Sequence, residues 1–193
     1  MPYSGRWKRP WLIIVFGTVL TSTLLSSYGF YRYKQHHHGK DEQASPLHNL
    51  IGQYRPGFEL QDINGKSHNI DEWNNRVLII NFWAAWCKPC RHEIPLFTRL
   101  QKTYEQQGLQ FIGVAIDEKS AVNDFISGLG TPINYPILLG QDDAIRVAKQ
   151  YGNETGVLPY TVIIDRKGLI DYIQFGEFPR DAVEYEINTL LGI

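Results

Sequence analysis

The stretch Val77-Leu78-Ile79-Ile80-Asn81-Phe82-Trp83-Ala84-Ala85-Trp86-Cys87-Lys88-Pro89-Cys90 runs from a β-rich apolar segment into the only two cysteines of the 193-residue chain. Val77–Phe82 is apolar at every position but Asn81, the pattern of a strand buried on both faces. From Lys88 onward, Ile94, Leu96, Phe97, Leu100 and Tyr104 recur at helical spacing. A second apolar run, Leu109 to Ile116, follows. Strand, helix and strand in that order make a crossover unit with parallel strands.

The rest of the chain extends the same alternation. Phe58 to Leu60 and Lys66 to His68 flank the turn Asp62-Ile63-Asn64-Gly65 and predict a hairpin. Ala121 to Leu129 and Ala144 to Tyr151 read as helices, with a short strand at Tyr135 to Leu139 between them. Thr161 to Ile164 and Leu169 to Phe175, joined by Asp165-Arg166-Lys167-Gly168, predict a final antiparallel hairpin. Asp181 to Leu191 closes the chain as an amphipathic helix with Ala182, Val183, Ile187, Leu190 and Leu191 on one side. The expected class is α/β, a mixed sheet with helices on both faces.

Charge is distributed unevenly. Residues 1–34 hold five basic side chains and no acidic one, which leaves 14 basic against 20 acidic residues in the remainder. An acidic remainder argues against nucleic-acid binding. Between Pro10 and Tyr31 no charged residue occurs, enough chain to cross roughly 30 Å of hydrocarbon as a helix. Trp7 and Trp11 at one end, and Tyr28, Phe30, Tyr31 and Tyr33 at the other, suit the two interfaces. A cleaved signal peptide is the other reading, with Thr21-Ser22-Thr23 and Ser26-Ser27 after its core. An uncleaved anchor is preferred, because no Ala-x-Ala-type site is present and the uncharged stretch continues past the serines.

The expected organisation is therefore an N-terminus over 1–9, placed on the cytoplasmic side by a slight excess of basic residues (three before the uncharged segment against two after it), a transmembrane anchor over 10–31, a linker over 32–49 and an α/β domain over 50–193. The linker, treated as flexible, reaches about 25 Å. Its His36-His37-His38 run reads as solvated, since adjacent side chains do not converge on one point.

Three readings of Cys87 and Cys90 compete. As a structural staple the pair closes one of the shortest possible loops, so the gain in stability is small. As a zinc site it lacks the second pair that a closed tetrahedral centre needs, and His92 alone does not supply it. As a redox pair it is well placed, because Cys87 falls at a helix N-terminus where free N–H groups and the helix dipole favour a thiolate. Pro89 fits the first helical turn, where its missing N–H costs nothing. On that reading Cys87 attacks and Cys90, one turn deeper, resolves.

The segment Asn81 to Pro95 (NFWAAWCKPCRHEIP) resembles the active-site segment of the thioredoxin superfamily. More narrowly, it is similar to the membrane-anchored, extracytoplasmic TlpA/ResA-like thiol:disulfide oxidoreductases. The likeness runs from about Pro56 to Ile193 and includes Gly57 to Lys66 and Gly156 to Asp165. It implies a thioredoxin-like three-layer sandwich preceded by an N-terminal transmembrane helix, anchored in the cytoplasmic membrane with the catalytic domain in the periplasm.

The resemblance also implies roles. Pro159 becomes a cis-proline lying against the dithiol, with the backbone of Leu158 pairing with a substrate chain. Glu93, three residues after Cys90, becomes a residue that tunes the pair and handles protons; otherwise it is a solvated carboxylate of the first helical turns. Asn81 departs from thioredoxins proper, which carry a buried aspartate there. An amide cannot act as a base, which leaves that work to Glu93. Trp86 is expected to form an apolar rim for partners, Trp83 to serve in rim or core, and Pro95 to kink the helix.

The function so implied is the reduction of partner-protein disulfides, with cytochrome c maturation as one use. A membrane-embedded thiol donor recharges the dithiol, and neither metal nor organic cofactor is needed. Two alternatives are weaker. A peroxidase of peroxiredoxin type carries threonine and proline where this chain has Ala84 and Ile80. A Sco-like copper carrier uses a wider cysteine spacing and a distal histidine that has no counterpart near Pro159.

Overall fold

A computed structural model describes residues 49–193. The expected anchor at 10–31, the N-terminus before it and all of the linker but Asn49 lie outside the described residues. Among the described residues no helix is long and apolar enough to cross a membrane.

Among the described residues seven strands form one mixed sheet: β1 (Glu59–Asp62), β2 (Ser67–Asn69), β3 (Val77–Trp83), β4 (Leu109–Ala115), β5 (Ile137–Leu139), β6 (Tyr160–Ile164) and β7 (Ile170–Phe175). Their order is β2-β1-β5-β4-β3-β6-β7. The strands β3, β4 and β5 run parallel, and β6 returns antiparallel beside β3. The helices are α1 (Lys88–Tyr104), α2 (Lys119–Ser127), α3 (Gln141–Gln150) and α4 (Arg180–Leu191). Both predicted hairpins form, and the first extends the sheet because β1 pairs antiparallel with β5.

Several boundaries differ from the sequence reading for local reasons. The β5 strand starts only after Pro136, which has no N–H to give a ladder. Helix α3 begins three residues early at Gln141, where Asp142 and Asp143 suit the positive end of the dipole. A 3-10 turn at Ile70–Trp73, which periodicity does not announce, is capped by the Asn69 side chain and Glu72.

The core lies on both faces of the sheet. Strand alternation sends Val77, Ile79 and Trp83 to the face that carries Phe97 of α1, Val122 of α2 and Val183 and Ile187 of α4. Leu78, Ile80 and Phe82 face the opposite side with Ala144, Val147 and Ala148 of α3. Asn81 therefore sits on the α1 face by parity. In the antiparallel ladder it stands opposite Thr161, whose strand shares that parity. At Gly113 of β4 a Cβ would stand 2.7 Å from Ile137 Cδ1 and 3.1 Å from Trp83 Nε1, so only glycine lets the Trp83 ring pack there.

Candidate active site

The site grows out of the C-terminal end of β3. Trp83 is fully buried, and Ala84 to Trp86 form a short loop into α1. Two hydrogen bonds hold that loop: Ala85 N–H donates to Asp117 Oδ2 at 2.9 Å, and Cys87 N–H donates to the Ala84 carbonyl at 3.1 Å. Cys87 is the N-cap residue of α1, and Lys88 and Pro89 make the first turn, which has no acidic side chain.

Cys87 and Cys90 are joined as a disulfide. The Cys90 N–H donates to Cys87 Sγ at 3.3 Å, the kind of helix N-terminal contact that favours a thiolate once the disulfide is reduced. Cys87 is 4% exposed and Cys90 0%, so both are buried and Cys87 is the more exposed of the pair. Trp86, 72% exposed, stands beside it, whereas Trp83 belongs to the core. Lys88, Arg91 and His92 are exposed, and Arg91 lies over the Phe125 ring at 5.2 Å.

Glu93 is not the solvated carboxylate of an exposed first turn. Cys90, Glu93, Phe97 and Gln101 line the inward stripe of α1, and Glu93 is 1% exposed. Its carboxylate is held at both oxygens: Asn81 Nδ2 donates to Oε1 at 2.7 Å, and Phe178 N–H donates to Oε2 at 3.0 Å. Asn81 Nδ2 also donates to Thr161 Oγ1 at 3.0 Å. Burial raises the Glu93 pKa from the usual 4.5 to about 7, against the pull of those two donors, and the nearby charge of Glu177 adds to the rise. Tyr135, buried nearby, has its phenol pushed well up by burial and by Glu93.

The Leu158–Pro159 peptide bond is cis, and Pro159 is buried directly before β6. Phe82 pairs with Tyr160 in the β3–β6 ladder, so continuing that register places Pro159 and Leu158 beside the loop that leads to Cys87. Leu158 packs against the core cluster that contains both cysteines. Sequence reasoning missed three contributors: Asp117 under the loop, the Phe178 N–H on Glu93, and Asn153, whose side chain bonds Val157. Strand parity at Asn81 and the helical stripe through Glu93 were the available signals for the polar cluster. Among the described residues no group of three or more His, Cys, Asp or Glu side chains is placed to hold a metal.

The AhpC/TSA family model matches residues 51–173. The chain belongs to the AhpC/TSA family. Among curated relatives, this family member is 29% identical over 178 residues to thiol-disulfide oxidoreductase ResA of Geobacillus thermodenitrificans, covering 92% of this chain and 95% of the relative. It is 27% identical over 184 residues to ResA of Bacillus subtilis, covering 95% of each. A crystal structure of a thiol:disulfide interchange protein from Chlorobium tepidum superposes with a TM-score of 0.64 at 27% identity, covering 73% of this chain and 97% of that one. A second Chlorobium tepidum structure, assigned as DsbE, gives 0.67 at 26% identity over 74% and 98%. The family member is thus a ResA-like thiol–disulfide oxidoreductase with the thioredoxin-like fold.

Proposed function

We propose that this oxidoreductase works as an extracytoplasmic reductant of protein disulfides through Cys87 and Cys90. The observation that carries the reading is the Cys87–Cys90 disulfide at the N-terminus of α1, one turn from a buried carboxylate with a pKa of about 7.

In the reduced enzyme the Cys87 thiolate attacks one sulfur of a partner disulfide. The partner's S–S bond breaks, a mixed disulfide forms, and the released partner thiolate takes a proton. Cys90 then gives its proton to the Glu93 carboxylate and attacks Cys87 Sγ. The second partner thiolate leaves and is protonated in turn. Two electrons have passed to the partner, and the enzyme is left as the disulfide.

The uncharged segment 10–31 supports anchorage in the cytoplasmic membrane with the domain on the periplasmic side. In that oxidising compartment a reductant must be recharged by a membrane-embedded thiol donor. Apocytochromes present a Cys-x-x-Cys-His pair that must be reduced before haem attachment, so cytochrome c maturation is the use we assign. Expressing the full chain as Cys90→Ser in membranes and identifying what remains joined to Cys87 tests this. Apocytochrome in the adduct supports maturation, and adducts with other secreted proteins only contradict it.

A further inference from the structure

We infer that Asn153 is a positioning residue for substrate: it holds the Asn153–Val157 loop so that the main chain of Leu158 stands ready to pair with the partner polypeptide. The inference rests on the reading above, in which a peptide disulfide docks beside Pro159.

Asn153 is 1% exposed although the four residues after it are all exposed. Its side chain bonds both backbone groups of a single residue four positions on. Nδ2 donates to the Val157 carbonyl at 2.9 Å, and Oδ1 accepts from the Val157 N–H at 3.0 Å. The Asn153 N–H donates to the Ala148 carbonyl at 2.9 Å, which fastens the clamp to the end of α3. A side-chain amide offers the same donor and acceptor as a peptide group, so Asn153 takes the place of a neighbouring strand for Val157.

The next residue is treated differently. Among the described residues neither the N–H nor the carbonyl of Leu158 has a hydrogen-bond partner, while the Pro159 carbonyl already accepts from Gly176 N–H at 2.9 Å. Leu158 is thus the one backbone donor–acceptor pair left open between a clamped residue and a paired one, beside the dithiol. An extended partner chain adds there by the main-chain bonding that peptide-binding edges use. Without the clamp, Val157 loses both of its bonds and the loop keeps only the Glu154 N–H to the Gly152 carbonyl at 3.0 Å and the Gly156 N–H to the Asn153 carbonyl at 3.4 Å, so Leu158 must be ordered at each encounter, which lowers affinity.

The test compares wild type, Asn153→Ala and Asn153→Asp as reduced full-length protein in single turnovers with excess disulfide-bonded Cys-x-x-Cys-His peptide, where KM is the half-saturating peptide concentration and kcat the limiting rate of protein oxidation. Asn153→Ala is expected to raise KM about tenfold, the loss of roughly one main-chain hydrogen bond, with kcat changed far less. The midpoint potential of the Cys87–Cys90 pair should stay at the wild-type value, because the dithiol is untouched. Asn153→Asp keeps the acceptor for Val157 N–H but sets a carboxylate oxygen against the Val157 carbonyl, so its KM rises at least as far as that of the alanine variant; it also decides the matter if the alanine variant does not fold. Equal KM for all three folded proteins, or a shift in potential matching the loss of rate, overturns the inference. If wild type itself does not reduce the peptide, the reading of function fails first, and the two failures are told apart.

Discussion

Asn81 and Glu93 meet under the first turns of α1 at 2.7 Å, an amide donating to a carboxylate where both side chains are almost fully buried. This pair differs from the lone buried acid of thioredoxins proper in a definite way. The acid has moved from the strand to the helix, and the strand position now supplies a donor. Ionised Glu93 is stabilised by that donor and destabilised by burial, and burial wins.

A pH dependence follows. Native Glu93 holds its proton up to about pH 7, whereas unfolded chain loses it near 4.5. Stability is therefore greatest below 4.5 as far as this group is concerned and falls as pH rises through 7, by on the order of 3 kcal/mol. Thermal unfolding of oxidised Glu93→Gln across pH 4 to 8 should show that slope removed, at a stability lowered by about 1–3 kcal/mol because the amide offers one acceptor to the two donors, Asn81 Nδ2 and Phe178 N–H. Resolution of the mixed disulfide should slow roughly 100-fold in the same variant and lose its inflection near 7.

Asn81→Asp places a second carboxyl within hydrogen-bonding distance of the first. Two such groups cannot both ionise in a buried site, so the pair takes up one proton and releases it only well above 7. Stopped-flow rates should show the inflection displaced upward. Unfolding above pH 8 should show a loss of about 1–3 kcal/mol. An inflection still at 7 would mean that the Asn81 contact does not tune Glu93.

The two tryptophans before Cys87 separate docking from packing. Trp86→Ala, at an exposed site, should change stability by less than about 0.5 kcal/mol and raise KM for a peptide disulfide. Trp83→Ala, in the core against Phe125 and Gly113, should cost roughly 3–5 kcal/mol by denaturant unfolding.

What could be read from the sequence divides by the range of the interactions. Val77–Phe82, the helix after Cys87 and the final hairpin are local patterns, and each formed within a residue or two of its expected place. Cys87 as a helix cap was legible for the same reason, and Pro159 came from resemblance alone. The environment of Glu93 was not legible as contacts, because Phe178 lies 85 residues downstream and Thr161 lies 80 from Asn81. Only the folded sheet brings them together. A glutamate near a helix start is ordinarily solvated, and the overriding fact is that it shares a stripe with Cys90 and Phe97.

The central claim is that Cys87 attacks and Cys90 resolves. Mass spectrometry of single-cysteine variants mixed with the disulfide-bonded peptide tests it most directly. Cys90→Ser should accumulate one peptide per protein, attached at Cys87, while Cys87→Ser forms no adduct at a comparable rate because Cys90 is fully buried. Faster adduct formation at Cys90, or rapid peroxide turnover by wild type without peptide reduction, would contradict the account.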